Sequence, residues 1–236
     1  MIRAVIFDMY ETLITQYRCP RCFGADLAAE AGVPPEPFLR VWHAATDARS
    51  VGLMTLEEAL RRSLEAGGQA GSACEAMVQQ LAAKRRATKR ACFQHLHGEI
   101  GPLLSSLRAR GLRVGLISNC FSEEAEVIRE SALFPFFDAV CLSWEEGVQK
   151  PDAEIYRRCV ARLGIRAEEC LYVGDGGSGE LEAAREMGMT AVQAVWYLKE
   201  SPLPPTGRRE GFPQLETPLA VLDWTDGQVT KGRQEA

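Results

Sequence analysis

The sequence predicts an α/β protein, a parallel sheet interrupted after its first strand by a block of helices. Two observations predict it. Short runs rich in Val, Ile, Leu and Phe alternate with segments of helical spacing, the pattern of a parallel sheet with right-handed crossovers. That alternation stops between about Phe23 and His97, where only helical spacing is found.

The first strand opens the chain. Arg3-Ala4-Val5-Ile6-Phe7 is an apolar run of the kind buried on both faces, and Asp8 ends it. A carboxylate at the C-terminal end of such a strand stands where open α/β sheets place their ligands. Asp8 is therefore a candidate nucleophile or metal ligand.

Helical spacing follows over Asp26–Ala31, Glu36–Arg49, Thr55–Ala66 and Ser72–Leu96, with turns at Gly32-Val33-Pro34-Pro35, Gly52 and Gly67-Gly68. Thr55-Leu56-Glu57-Glu58 is a capping-box start. Strands resume at Arg113–Ser118, Asp138–Ser143, Cys170–Gly174 and Thr190–Trp196. The helices between them are expected over Gly101–Arg110, Ser122–Ser131, Ala153–Leu163 and Ser178–Met187. The helical block then lies as a lid over the strand ends, with residues 16–98 as a cap and 1–15 with 99–236 as the core. Pro, Gly and Arg from Glu200 to Phe212 predict a loop or flap, and Leu219–Trp224 one more short apolar element. The polar residues from Gly227 to Ala236 are expected to be disordered.

The chain has 236 residues, 46% of them apolar, enough for one sizeable core and a subdomain. A net charge of −5 argues against nucleic acid or an anionic membrane as the main partner. No apolar stretch is long enough to span a bilayer, and the N-terminus lacks a basic region followed by an apolar segment, so no secretory signal is expected. The eight cysteines read as reduced thiols of a cytoplasmic protein. Cys120, Cys141, Cys159 and Cys170 lie in apolar-patterned segments and are expected in the core. A monomer or a homodimer is expected.

Four strand ends carry chemistry. The first ends in Asp8-x-Tyr10-x-Thr12 and the second in Ser118-Asn119. Lys150-Pro151-Asp152 follows the third. The fourth ends in Gly174-Asp175-Gly176-Gly177-Ser178-Gly179-Glu180. Two acids, a hydroxyl and a lysine thus converge on one sheet edge. In these four motifs, their order, and the helical insertion after the first, the chain resembles the haloacid dehalogenase superfamily of hydrolases.

The resemblance implies a Rossmann-like core with a helical cap, and it implies roles. Asp8 attacks phosphorus or carbon and forms a covalent aspartyl intermediate. Ser118 donates to the transferring group, with Asn119 beside it on the substrate. Lys150 holds Asp8 and substrate oxygens by charge. Asp175, Asp8 and the main-chain carbonyl of Tyr10 bind Mg²⁺, which takes few protein carboxylates, and Glu180 orients a metal-bound water. Thr12 positions the backbone around the nucleophile. The Gly176-Gly177 pair lets the backbone approach the metal.

Two motifs point in different directions. The family's phosphatases usually carry a second Asp where this chain has Tyr10; that acid protonates the leaving alkoxide, and its loss costs about 10²–10⁴ in rate. The dehalogenases carry Tyr there, because halide leaves without a proton, and they work without metal. Asp175 and Glu180 form the acidic pair of the Mg²⁺-dependent type. The expected activity is therefore a Mg²⁺-dependent phosphatase on a small anionic substrate. The alternatives are a 2-haloacid dehalogenase, with Arg40 or Arg49 of the cap holding the substrate carboxylate, and a catalytically weak binding protein.

Two further patterns stand apart. Cys19, Cys22, Cys92 and His95 lie where the cap leaves and rejoins the core, a possible structural zinc set. Lys84-Arg85-Arg86-Ala87-Thr88-Lys89-Arg90 is a basic run with Arg86, Lys89 and Arg90 on one helix face; it either meets an anionic substrate or is solvated.

Overall fold

The computed structural model describes residues 1–20, 22–198 and 207–226. Five apolar runs form β1 (Ala4–Phe7), β2 (Arg113–Ser118), β3 (Ala139–Leu142), β4 (Cys170–Gly174) and β5 (Thr190–Ala194), and β6 (Gln214–Leu215) completes the sheet. All pair in parallel in the order β3-β2-β1-β4-β5-β6, the Rossmann order. Its direction of growth reverses between β1 and β4, so Asp8 and Asp175 end the two strands flanking the crevice where such sheets bind ligands.

Each face of the sheet has its own core. Val5 and Phe7 of β1 join Leu103, Leu116 and Val173 on one side, and Ala4 and Ile6 join Ile117, Tyr156 and Tyr172 on the other. This is the period-two split of a strand buried on both faces.

The insertion between β1 and β2 is all helical: α1 (Gly24–Ala31), α2 (Pro35–Ala44), α3 (Thr46–Ser50), α4 (Leu56–Ala66) and α5 (Gly71–Cys92). It packs a third core of its own, with Leu27, Phe38, Trp42, Leu60 and Leu81 buried together. Thr55 caps α4 as its sequence predicts, its hydroxyl accepting from the Glu58 amide at 3.2 Å.

The helices of the sheet are α6 (Ile100–Ala109), which precedes β2, and, after it, α7 (Ser122–Glu130), α8 (Ser143–Glu146), α9 (Ala153–Leu163), α10 (Glu180–Glu186) and α11 (Val221–Thr225). The predicted helix over Glu36–Arg49 is two helices, because the chain breaks at Ala45 (φ −81°, ψ −6°). The helix expected to run to Leu96 stops at Cys92. The turn Gly177–Gly179, with Ser178 and Gly179 both at positive φ, delays α10 to Glu180. Residues 199–206 of the expected flap and the polar tail from Gly227 lie outside the described residues. Among the described residues no helix is long and apolar enough to cross a membrane, and all eight cysteines are free.

The zinc expectation is not met: Cys22 and Cys92 line one small cavity, but the set Cys19, Cys22, Cys92 and His95 does not bring its ligand atoms to one point. Among the described residues only Asp8, Asp175 and Glu180 form a group of three or more possible metal ligands.

Candidate active site

Asp8 is 6% exposed at the end of β1. Its Oδ1 accepts from Lys150 Nζ at 2.6 Å and its Oδ2 from the Thr12 hydroxyl at 3.2 Å. The loop between them turns through Glu11, which takes the left-handed conformation at φ 59°, an uncommon one for a residue with a Cβ. The Glu11 carboxylate accepts from the Gln16 amide at 3.1 Å and so ties the loop back. Trp196 Nε1 holds the Thr12 carbonyl at 2.8 Å from the far side of the sheet.

Lys150 is the hub. Its ammonium is buried, also donates to Glu180 Oε2, and lies 3.4 Å from the Tyr172 hydroxyl. Burial alone would favour its neutral form, but Asp8 and Glu180 hold it well above the usual lysine range. Its main chain is fixed by Asn119, whose side-chain Oδ1 accepts from the Lys150 amide at 2.8 Å while Nδ2 donates to the Lys150 carbonyl at 3.0 Å. Asn119 therefore clamps the lysine loop.

Glu180 is 1% exposed, and both its oxygens have protein donors. Oε1 accepts from the Gly176 amide at 3.1 Å, and Oε2 from Lys150 and from the Tyr172 hydroxyl at 2.8 Å. A Cβ at Gly174 would overlap this carboxylate, so glycine there is what lets it tuck under the strand end. Asp175, 9% exposed, accepts from the Gly177 amide at 2.8 Å. Its carbonyl is held by Gln193 Nε2 at 2.8 Å. Gln193 also donates to the Gly207 carbonyl at 2.7 Å and accepts from the Arg209 amide at 2.8 Å. Arg209 Nη2 in turn donates to the Gly176 carbonyl at 2.9 Å.

One oxygen from each of Asp8, Asp175 and Glu180 lies within 4.8 Å of the others. Asp8 and Glu180 share Lys150, and Asp175 stands beside them. Burial pushes Asp8 up to about 7 and Asp175 up to about 8, and the Glu180 charge adds to both. A divalent cation is the group that relieves such a set. The donor atoms are all oxygens, which suits a hard ion such as Mg²⁺.

A cavity of about 480 Å³ opens beside Lys150. Asn119, Cys120 and Phe121 from the loop after β2 form one wall, and Ser178 and Gly179 another. Thr46, Asp47 and Ser50 of α3 close it from the insertion.

The structure brings Asp8, Thr12, Lys150, Asp175 and Glu180 together. Ser118 is fully buried at the end of β2, and its hydroxyl lies 3.4 Å from the Asn119 carbonyl. Tyr10 points elsewhere. Its hydroxyl is buried without a partner, its ring lies 4.9 Å from Lys89 Nζ, and it does not line the cavity. Burial and Glu124 hold its hydroxyl firmly protonated. Arg40 is exposed on α2 and does not line the cavity.

Arg49 is 1% exposed, its guanidinium sandwiched between Trp42 and Phe121 at 4.1 and 4.0 Å and paired with Glu123 at 2.9 Å. Within the basic run on α5, Lys84 pairs with Glu30 of α1 while Arg85, Arg86, Lys89 and Arg90 pair with acids of α7, and none of them lines the cavity. Arg85 pairs with Glu123 at 2.5 Å, Lys89 with Glu124 at 2.7 Å, Arg86 with Glu126 at 3.1 Å, and Arg90 with Glu126 and Glu130 at 2.9 Å.

Sequence reading missed Tyr172 and Gln193. Both sit in strands and pass for core residues. A glutamine with zero exposure inside an otherwise apolar strand is a usable signal, since a buried amide must find partners.

Comparison with known proteins agrees with this geometry. A family model described as haloacid dehalogenase-like hydrolase matches residues 2–188. A glyceraldehyde 3-phosphate phosphatase of Methanocaldococcus jannaschii is 36% identical over 93 residues, 39% of this chain and 41% of that protein. A phosphoserine phosphatase of Thermus thermophilus is 28% identical over 71% of this chain and 61% of that protein. The matches thus span less than two thirds of these relatives' own lengths. Among solved structures, a 2-haloacid dehalogenase from Pseudomonas syringae pv. Tomato DC3000 superposes with a TM-score of 0.71 at 20% identity, covering 97% of this chain and 100% of that one.

Proposed function

The chain belongs to the haloacid dehalogenase-like hydrolases, and from that premise we propose that it is a Mg²⁺-dependent phosphatase acting on a small phosphate monoester in the cytoplasm. One observation carries this reading: oxygens of three buried carboxylates meet at the switch point of the sheet, and two of them, Asp8 and Glu180, pair with the same lysine. A carboxylate nucleophile in that field repels an anionic ester unless a cation joins it. The phosphatase relatives support the same class of substrate.

Asp8 is the nucleophile. Thr12 and Lys150 each hold one of its oxygens, so its free lone pairs are aimed before substrate arrives. Attack on phosphorus forms an Asp8–phosphoryl bond and breaks the bond to the leaving oxygen; water then cleaves the aspartyl phosphate and releases inorganic phosphate. Lys150 stabilises negative charge on the transferring group, Asn119 fixes the lysine loop, and Ser118 at the end of β2 would donate to the same group. Asp8 and Asp175, with the Tyr10 carbonyl, would hold Mg²⁺, and the ion would supply charge neutralisation between nucleophile and phosphate. Glu180 stands behind them and fixes Lys150. Tyr10, its hydroxyl under the insertion, does not protonate the leaving group, so esters with good leaving groups are favoured.

A second reading is 2-haloacid dehalogenation, which Tyr10 in place of a second aspartate favours. One experiment separates the two. Hydrolysis of p-nitrophenyl phosphate is measured with Mg²⁺, with EDTA, and in Asp8→Asn, beside chloride release from 2-chloropropionate. The expected result is Mg²⁺-dependent phosphate release that the substitution abolishes. Chloride release that survives EDTA, with no phosphate release, would establish the dehalogenase instead; loss of neither activity in Asp8→Asn would remove Asp8 as nucleophile.

A further inference from the structure

The walls of the cavity carry a bias in charge. Among the described residues that line it, the only cation is Lys150, and that ammonium is already shared between Asp8 and Glu180. The other charged side chain is Asp47, on α3 of the insertion, facing the cavity from the side opposite the sheet. It is exposed, and Gln149 Nε2 lies 3.4 Å from its Oδ1, joining the insertion to the lysine loop. The other polar side chains of the lining, apart from Asn119 of the lysine clamp, are the hydroxyls of Thr46, Ser50 and Ser178 and the Gln149 amide.

The arginines of this part of the insertion do not offset Asp47. Arg49 is committed to Glu123 between two aromatic rings, and Arg40 is exposed away from the cavity lining. The organic part of a bound ester therefore meets a carboxylate and hydroxyls, with no free cation among the described groups to receive a second anion. We infer that Asp47 selects the substrate: a phosphate monoester whose organic part presents an ammonium or hydroxyl donor and carries no carboxylate. Rejection of a carboxylate by like charge is as much a part of this selection as attraction of a donor.

The inference rests on the phosphatase reading, and its test is read independently of leaving-group chemistry. O-phosphoethanolamine and phosphoglycolate are close in size and opposite in the charge of their organic part. Each is measured as a competitive inhibitor of p-nitrophenyl phosphate hydrolysis at fixed free Mg²⁺. The wild-type protein is expected to bind O-phosphoethanolamine at least about tenfold more tightly, the scale of one charge contact near a protein surface. Asp47→Asn should bring the ratio towards one, and Asp47→Lys should reverse it. Preference of the wild-type protein for phosphoglycolate, or a ratio that Asp47→Lys leaves in place, overturns the inference while the phosphatase reading stands. Absence of p-nitrophenyl phosphate turnover overturns both.

Discussion

Two groups of charged side chains are withdrawn from water in this molecule, and they are composed in opposite ways. At the strand ends, Asp8, Asp175 and Glu180 surround one cation, Lys150. At the seam between the insertion and the core, Arg49, Arg85 and Lys89 surround two anions, Glu123 and Glu124. The strand-end group holds Asp8 and Asp175 above their ordinary range. In the seam, burial alone would raise Glu123, but Arg85 and Arg49 hold it below that range. A cluster that perturbs its own acids upward is poised to receive a cation. One whose arginines hold Glu123 below its ordinary range is a fastening between two bodies. Buried ionisable groups alone therefore do not mark a functional site; the sign of the imbalance and the presence of a cavity do.

The sharpest break is at the hub. Lys150→Met removes the ammonium that pairs with Asp8 and Glu180, and turnover of p-nitrophenyl phosphate is expected to fall by about 10²–10³. A loss of only a few-fold would mean that Lys150 serves structure alone. The matching substitution in the seam is Glu123→Gln, which takes the paired carboxylate from buried Arg49 and leaves Arg85 with Glu124 alone, and is expected to cost about 3–5 kcal/mol in urea unfolding. Turnover per folded molecule should stay within a few-fold, since Glu123 touches no group at the strand ends.

Acid sharpens the same contrast. Because the folded-state value of Glu123 is depressed, its contribution is fully present above its unfolded value and is lost as pH falls through the folded one. The stability gap between wild type and Glu123→Gln should therefore be widest at neutral pH and close in acid, as unfolding curves across that range will read. The smallest effect belongs to the outer edge of the seam. Arg90→Ala breaks exposed pairs with Glu126 and Glu130 and should cost less than about 1 kcal/mol.

How much of this was legible in the sequence follows from the range of each interaction. The strands of the core, the four strand ends and the helical character of the insertion are local patterns and could be read directly. β6 could not, because two residues carry no alternation. The basic face of α5 was legible as a face, but its partners on α7 lie some forty positions away, and helical spacing says nothing of what a face meets. Arg49 was legible as a cap arginine and not as a buried one, since its two rings and its carboxylate come from α2 and the start of α7. Tyr10 was read from its place two after Asp8. The turn through Glu11 carries its side chain beneath the insertion, and no local signal announces that.

Gln193 and Arg209 set a limit on where the chain can be shortened. The match to the family model ends at residue 188, and every motif residue lies before it, so a product trimmed after residue 198 would look complete by sequence. It would lack the Gly207 carbonyl and the Arg209 amide that occupy the Gln193 side chain, and the guanidinium that steadies the Gly176 carbonyl. A buried amide stripped of two partners is costly, and the loop it releases carries Asp175. The segment after residue 206 thus works as a splint. Its removal would be felt at the acid end of β4.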